Sequence, residues 1–252
     1  LTALSIYFLL ISYMHLPPYM RRMHRSCLAI ARAYVYIDPI LYVPRRSDSM
    51  ARIDDFQQAR DLAARELGRE DAQTIARRSG FKASATNVLR APFLDRVYRI
   101  DYPAFTFSDA TDPQTQVPLQ EQVLILHYLQ GCRPVLKNQW VAYRELPGAG
   151  FYFGAFVKRA IEPLKKVFGQ NVAALIRAGA KLGASSIETG DVGLQFTPLP
   201  YAPLQLVVWQ GDEEFPAEAN ILFDATAGEY LSPEDAAWLA SLTVYRLMAL
   251  SR

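Results

Sequence analysis

Cysteine is nearly absent: Cys27 and Cys132 are the only two in 252 residues, and they share no CxxC spacing. An iron-sulfur cluster or a structural zinc draws on several closely spaced ligands, so the chain is expected to encode neither site. Cys132 reads as a small buried hydrophobe rather than a nucleophile. Histidine is almost as scarce, and of the three present only His127 lies beyond the first 49 residues. A catalytic triad must use it or do without histidine. Set among Leu124, Leu126, Tyr128 and Leu129, it reads first as a hydrogen-bonded core residue, with an axial-ligand or general-base role as the alternative. Ser185 and Ser186 stand in no G-x-S-x-G elbow, and no other pattern marks an activated nucleophile.

Charge of one sign is lacking as well. The formal net charge is +2, and from Met50 onward 21 basic residues face 23 acidic ones, so the body is nearly neutral. Nucleic-acid phosphates call for a basic face, and none is expected here. Without a disulfide framework the chain fits a reducing cytoplasm. Long apolar runs are missing too. The opening "LTALSIYFLLISYM" is followed by His15 and by Pro17-Pro18, and at about 13 residues it falls short of the ~20 that span a bilayer. A membrane role is therefore not expected, with a short signal anchor as the alternative. The arginines follow this run instead of preceding it, contrary to a signal peptide. Residues 1–49 read as a non-native or disordered leader, with Met50 as the first residue of a single domain, 50–252. A mature N-terminus upstream of Met50 would contradict that expectation.

What is present is an ordinary globular composition, 51% hydrophobic and 21% charged. Phe56, Ala59, Ala63 and Leu67 recur at helical spacing before Gly68, and a second short helix is predicted around Glu70 to Arg78. "TNVLRA", "RVYRID" and "AFTF" alternate as strands separated by Pro92 and Pro103. "VPLQEQVLILHYLQGC" is apolar nearly all round, which predicts a buried helix. "QWVAYREL" reads as a strand, and a helix over 155–168 should kink or split at Pro163. Another helix is predicted over 171–182, then a hairpin turned at Gly190-Asp191, then the apolar strands "PLQLVVW" and "ANILFD". The last helix is the best delimited, with Ser232 as N-cap, Pro233 at its first position and Asp235 as capping partner. Strands and helices are partly segregated, so the fold class is α+β, a mostly antiparallel sheet with packed helices.

Two loops are candidate binding elements. The bend holding Gly148, Gly150 and Gly154 lies between a strand and a helix, where backbone amides can hold an anion; Arg144, Glu145 and Lys158 flank it. Its spacing matches neither the dinucleotide GxGxxG nor a GK[ST] loop, and a plain tight turn is the competing reading. The second element is "WQGDEEFP". Asp212, Glu213 and Glu214, between Trp209 and Phe215, could ligate a hard cation, act as an acid-base pair, recognise a partner, or pair with arginines such as Arg144. Contiguous carboxylates in a turn usually point apart into water, so a structural corner is the competing reading there.

The segments "YLQGCRPVLKNQWVAYRELPGAGFYFGAF" and "WQGDEEFPAEANILFD", with "YLSPED" after them, resemble a bacterial and archaeal family, the domain of unknown function numbered 3786. The likeness covers most of 50–252 and none of the leader. It implies no assigned catalytic residue. Some relatives join this domain to a cysteine-rich iron-sulfur segment, which this chain lacks, so the resemblance implies at most an accessory role near redox or corrinoid enzymes.

Three functions stay open on the sequence. The first is a cytoplasmic domain binding a small molecule or cofactor, of unknown identity, in a cleft bordered by the glycine bend and the acidic loop. The second is a non-catalytic accessory or interaction module for a partner enzyme. The third is a carboxylate-dependent enzyme.

Overall fold

The computed structural model describes residues 46–84 and 87–252, with side chains from Asp54 onward. The expectation for residues 1–49 therefore lies, up to position 45, outside the described residues. Helix α1 (Arg46–Leu67) begins four residues before Met50. The chain divides within α1 at Leu62/Ala63, and every element from α2 onward belongs to the unit Ala63–Arg252.

Helix α2 (Ala72–Ser79) starts where the Asp71 carboxylate accepts the Thr74 N–H at 2.9 Å and ends at Gly80, whose φ of 74° closes the last turn. A four-stranded antiparallel sheet comes next, in the order β1 (Lys82–Ala83), β2 (Val88–Phe93), β3 (Arg96–Asp101) and β4 (Thr106–Asp109). Pro92 lies inside β2, opposite Val97, rather than between strands. β1 pairs only with residues 89 and 90, so β2 is a sheet edge at Pro92 and no partner there needs its missing N–H. β2 and β3 are joined by two residues, Leu94 and Asp95. Leu94 sits at φ 54°, a region that costs a non-glycine residue roughly 1–2 kcal/mol.

Helix α3 (Leu119–Gly131) is buried continuously from Val123 to Leu129, as its all-round apolar character requires. Pro118 stands at its N-cap. The expected strand over 139–146 is shorter: β5 (Trp140–Ala142) gives way to a 3-10 turn, Tyr143–Glu145, because the Glu145 carboxylate accepts the Ala142 N–H at 2.6 Å and curls the chain. The next rod is α4 (Phe153–Phe156), a π turn (Val157–Ile161) and α5 (Glu162–Phe168) in one run. Pro163 offers no N–H to the Arg159 carbonyl, and the expected split takes the form of a π turn between two α segments, with Pro163 in the first turn of the second.

Helix α6 (Val172–Lys181), capped by Asn171, leads into a second antiparallel sheet. Its order is β5, β9 (Glu218–Asp224), β8 (Leu204–Trp209), β7 (Val192–Phe196) and β6 (Ser185–Ile187). The buried Asp224 carboxylate fastens this sheet to the approach of β5 by accepting the N–H groups of Lys137, Asn138 and Thr226. A short helix α7 (Ala227–Tyr230) precedes α8 (Pro233–Leu250). Ser232 caps α8 as the sequence predicts, accepting the Asp235 N–H at 3.1 Å and donating to Asp235 Oδ2 at 2.7 Å. The fold is α+β, with both sheets wholly antiparallel.

Candidate functional site

Successive strand side chains alternate, so Arg96, Tyr98 and Ile100 share one face of β3. On α3, Glu121 stands three, four and seven residues before Leu124, Ile125 and Tyr128, all buried, so its carboxyl lies on the buried stripe of that helix. The Tyr98 hydroxyl donates to Glu121 Oε2. On α8, Leu242, Tyr245, Arg246 and Ala249 form a second stripe, beside the core stripe of Ala240, Val244 and Leu247. These surfaces and the β2–β3 turn border a half-open hollow of about 200 Å³. Its polar lining is Asp95, Arg96, Glu121 and Arg246, its apolar lining includes Phe93, Leu94 and Leu242, and half-exposed Tyr245 stands at the rim.

The charges are arranged in pairs. Arg246 grips Asp95 with two parallel bonds, Nε to Oδ1 at 2.8 Å and Nη2 to Oδ2, which takes two of its five N–H donors. Burial pushes the Asp95 carboxyl up, but the hydrogen bond and charge of Arg246 outweigh it and leave it below the usual range. Arg96 reaches Asp109 only at 3.9 Å, and Asp109 Oδ1 already accepts the Thr111 N–H at 2.8 Å. Glu121 is shifted the other way. Burial raises its carboxyl above the ordinary value, against the Tyr98 hydrogen bond and the pull of Arg96 and Arg246. Burial and the Glu121 contact together hold the Tyr98 phenol far above its ordinary range. A desolvated carboxyl with a fixed donor, at the wall of a concavity, is the arrangement expected of a working site.

A second polar cluster joins the same two helices farther along. His127 Nδ1 lies 2.9 Å from Asp235 Oδ1, and both residues are buried. Burial disfavours a charged imidazole, yet the Asp235 carboxylate, with Glu234 and Glu66, raises the His127 pKa above its usual value. Asp235 is lowered in turn, burial being outweighed by His127 and Ser232. The core-histidine reading of His127 thus has its hydrogen bond. Cys132 is buried, and burial pushes its thiol up to about 12, which makes it a poor nucleophile. Among the described residues, no group of three His, Cys, Asp or Glu side chains could hold a metal ion, and no helix is long and apolar enough to cross a membrane.

The nine residues singled out in the sequence, Arg144, Glu145, Gly148, Gly150, Lys158, Trp209, Asp212, Glu213 and Glu214, are all exposed. The Arg144 guanidinium lies 3.7 Å over the Phe153 ring. Gly148, at φ 77°, approaches Pro233 at the start of α8. The acidic loop closes on itself: Asp212 Oδ1 accepts the N–H groups of Glu214 and Phe215, and the Asp212 N–H reaches the Phe215 carbonyl. Those backbone bonds hold the Asp212 carboxyl below its ordinary value. The two loops are not neighbours. The glycine bend precedes the rod 153–168, whereas Gly211 and Ala217 pack against Gly169 and Gln170 at its far end. Sixteen helical residues separate the ends by roughly 24 Å.

The hollow, by contrast, draws on β3, α3 and α8, and no short motif spans them. One signal was available: Glu121 is the lone carboxylate of its helix, in the first turn before the run buried from Val123 to Leu129. The sequence model of a family described as "Domain of unknown function (DUF3786)" matches residues 71–246. The chain belongs to the DUF3786 family. The match takes in Phe93 to Arg246 of the hollow, the His127–Asp235 pair and both loops, so each candidate site is part of the DUF3786 domain. Comparison with curated proteins finds no match, and comparison with solved structures finds none either.

Proposed function

We propose that this DUF3786 chain is a cytoplasmic domain that binds a small molecule in the hollow bounded by the β2–β3 turn, Glu121 of α3 and the Leu242–Ala249 stripe of α8. The observation that carries the reading is Glu121, a buried carboxyl held by Tyr98 at the wall of a concavity that also presents two arginines. A core built for stability alone would fill such a place with apolar groups. Leu94, held at positive φ, supports the same reading, since backbone strain concentrates where geometry serves binding. The test is a thermal-shift screen of small metabolite-sized compounds against the chain and its Arg246→Met variant. Hits that stabilise the parent and not the variant support binding in the hollow; hits that act equally on both place the ligand elsewhere.

A second reading, an interaction module that docks a partner enzyme, is favoured by the acidic loop. Phe215 is 67% exposed on a loop stiffened by its own hydrogen bonds, and Trp209, at the end of β8 beside it, is 42% exposed. Co-purification from the native host with the parent and with Phe215→Ser tests it. A partner retained equally by both would remove the loop from consideration.

A further inference from the structure

We infer that the hollow takes a small organic carboxylate, and that binding brings one proton from solvent onto Glu121. This rests on the small-molecule reading above and names the ligand class.

The groups facing Glu121 come from every element packed around it: Tyr98 and Arg96 from β3, Asp95 from the turn, and Arg246 from α8. Asp95 spends both its oxygens on Arg246, yet that fork leaves three guanidinium donors uncommitted to it. The ion pair of Arg96 is a long one, 3.9 Å to Asp109 Oδ2, with Asp109 Oδ1 taken by two backbone N–H groups, and its remaining side-chain partner is the Tyr98 hydroxyl. An entering carboxylate therefore meets arginine donors that remain incompletely compensated. A cation would meet Glu121, the one lining carboxylate not gripped by a guanidinium, but with both guanidinium groups beside it, and like charges at close range are unfavourable.

Glu121 then decides the protonation. Tyr98 already donates to Oε2, which leaves Oε1 free of that bond on a residue that lines the hollow. A second carboxylate brought against the partly buried Glu121 raises the cost of keeping both ionised, and the pair takes up a proton between them. Glu121 is the group prepared to take it, because burial already favours its neutral form. The protonated carboxyl donates to the ligand carboxylate while the arginines balance the ligand charge. Size and wall chemistry narrow the class further. About 200 Å³ is roughly six or seven water volumes, room for roughly six to ten non-hydrogen atoms. Phe93, Leu94 and Leu242 give the body of such a ligand an apolar surface, so an aryl or short alkyl monocarboxylate fits best.

The experiment is titration calorimetry of the full chain with benzoate and hexanoate, beside benzamidine and hexylamine, in buffers of different ionisation heat. The expected result is binding of the carboxylates over the amines, uptake of close to one proton per ligand, and affinity falling about tenfold per pH unit above the Glu121 titration. Glu121→Gln keeps an acceptor for Tyr98 and should bind with no such slope. Preference for the amines, binding without proton uptake, or an unchanged slope in Glu121→Gln would overturn the inference. If those outcomes come with binding that Arg246→Met abolishes, the hollow remains a ligand site and only the ligand class fails. If no compound of either charge binds, both this inference and the small-molecule reading fail. The buffer comparison needs only the parent protein, so a variant that misfolds does not block the test.

Discussion

The Asp235 carboxylate lies 2.9 Å from His127 Nδ1, an interaction between residues 108 positions apart that ties α3 to α8. The same helices carry Glu121 and Arg246 to the hollow. The pair sits six residues along α3 from Glu121 and eleven along α8 from Arg246, roughly 9 Å and 16 Å of helix. It therefore fixes the two walls without itself lining the hollow between them.

This buried pair makes stability depend on pH. The His127 pKa is raised, so its contribution is complete below the ordinary value of 6.5 and is lost as pH rises through the folded value. The Asp235 pKa is lowered, so its contribution is present above 3.8 and is lost as pH falls through the folded value. The pair contributes most between those two ordinary values. Asp235→Asn should destabilise the domain by about 3 kcal/mol within that window. Urea unfolding from acid to mildly alkaline pH checks this, and a variant cost that does not change with pH would contradict it.

Glu121 carries the opposite sign. A carboxyl whose folded pKa is raised favours the folded state below 4.5 and costs stability as pH rises through the folded value. Glu121→Gln should therefore melt higher than the parent at neutral pH, by roughly 2–4 °C, the shift that about 1 kcal/mol produces in a domain of this size. The gain should vanish near pH 4. Melting curves at the two pH values decide the matter, and such a gain is what a site held ready for binding implies.

Tyr98→Phe should act differently. It leaves a buried carboxyl oxygen without its donor, which should cost about 1 kcal/mol and push the Glu121 titration further up. A variant as stable as the parent, with an unmoved Glu121 titration by NMR, would contradict the role given to that hydroxyl.

The acidic loop should be thermally silent. Glu213 and Glu214 are exposed, and the turn is closed by Asp212 and backbone groups. The double Gln variant should keep its melting temperature within about 1 °C. A larger change would show that these carboxylates hold more than water.

Much of the fold was legible because its signals are local. The α8 cap, the Gly190-Asp191 turn and the buried α3 follow from residue type and period within one window of sequence. Pro163 splits its helix as its missing N–H requires, whereas Pro92 lies inside a strand because β1 ends before it and no partner there needs its N–H. The hollow was illegible for a related reason. Arg96, Glu121 and Arg246 meet through a two-residue hairpin and the packing of two helices, and no spacing along the chain encodes that meeting. The glycine bend and acidic loop attracted notice because their residues are contiguous, yet the rod between them holds them apart.

Binding in the hollow is tested most directly by 1H–15N NMR of the labelled chain titrated with benzoate. Shift changes gathered at residues 93–96, 121 and 242–249, absent in Arg246→Met, are the predicted result. Changes confined to 144–158 or 209–215, or no change in the hollow with any ligand, would contradict it.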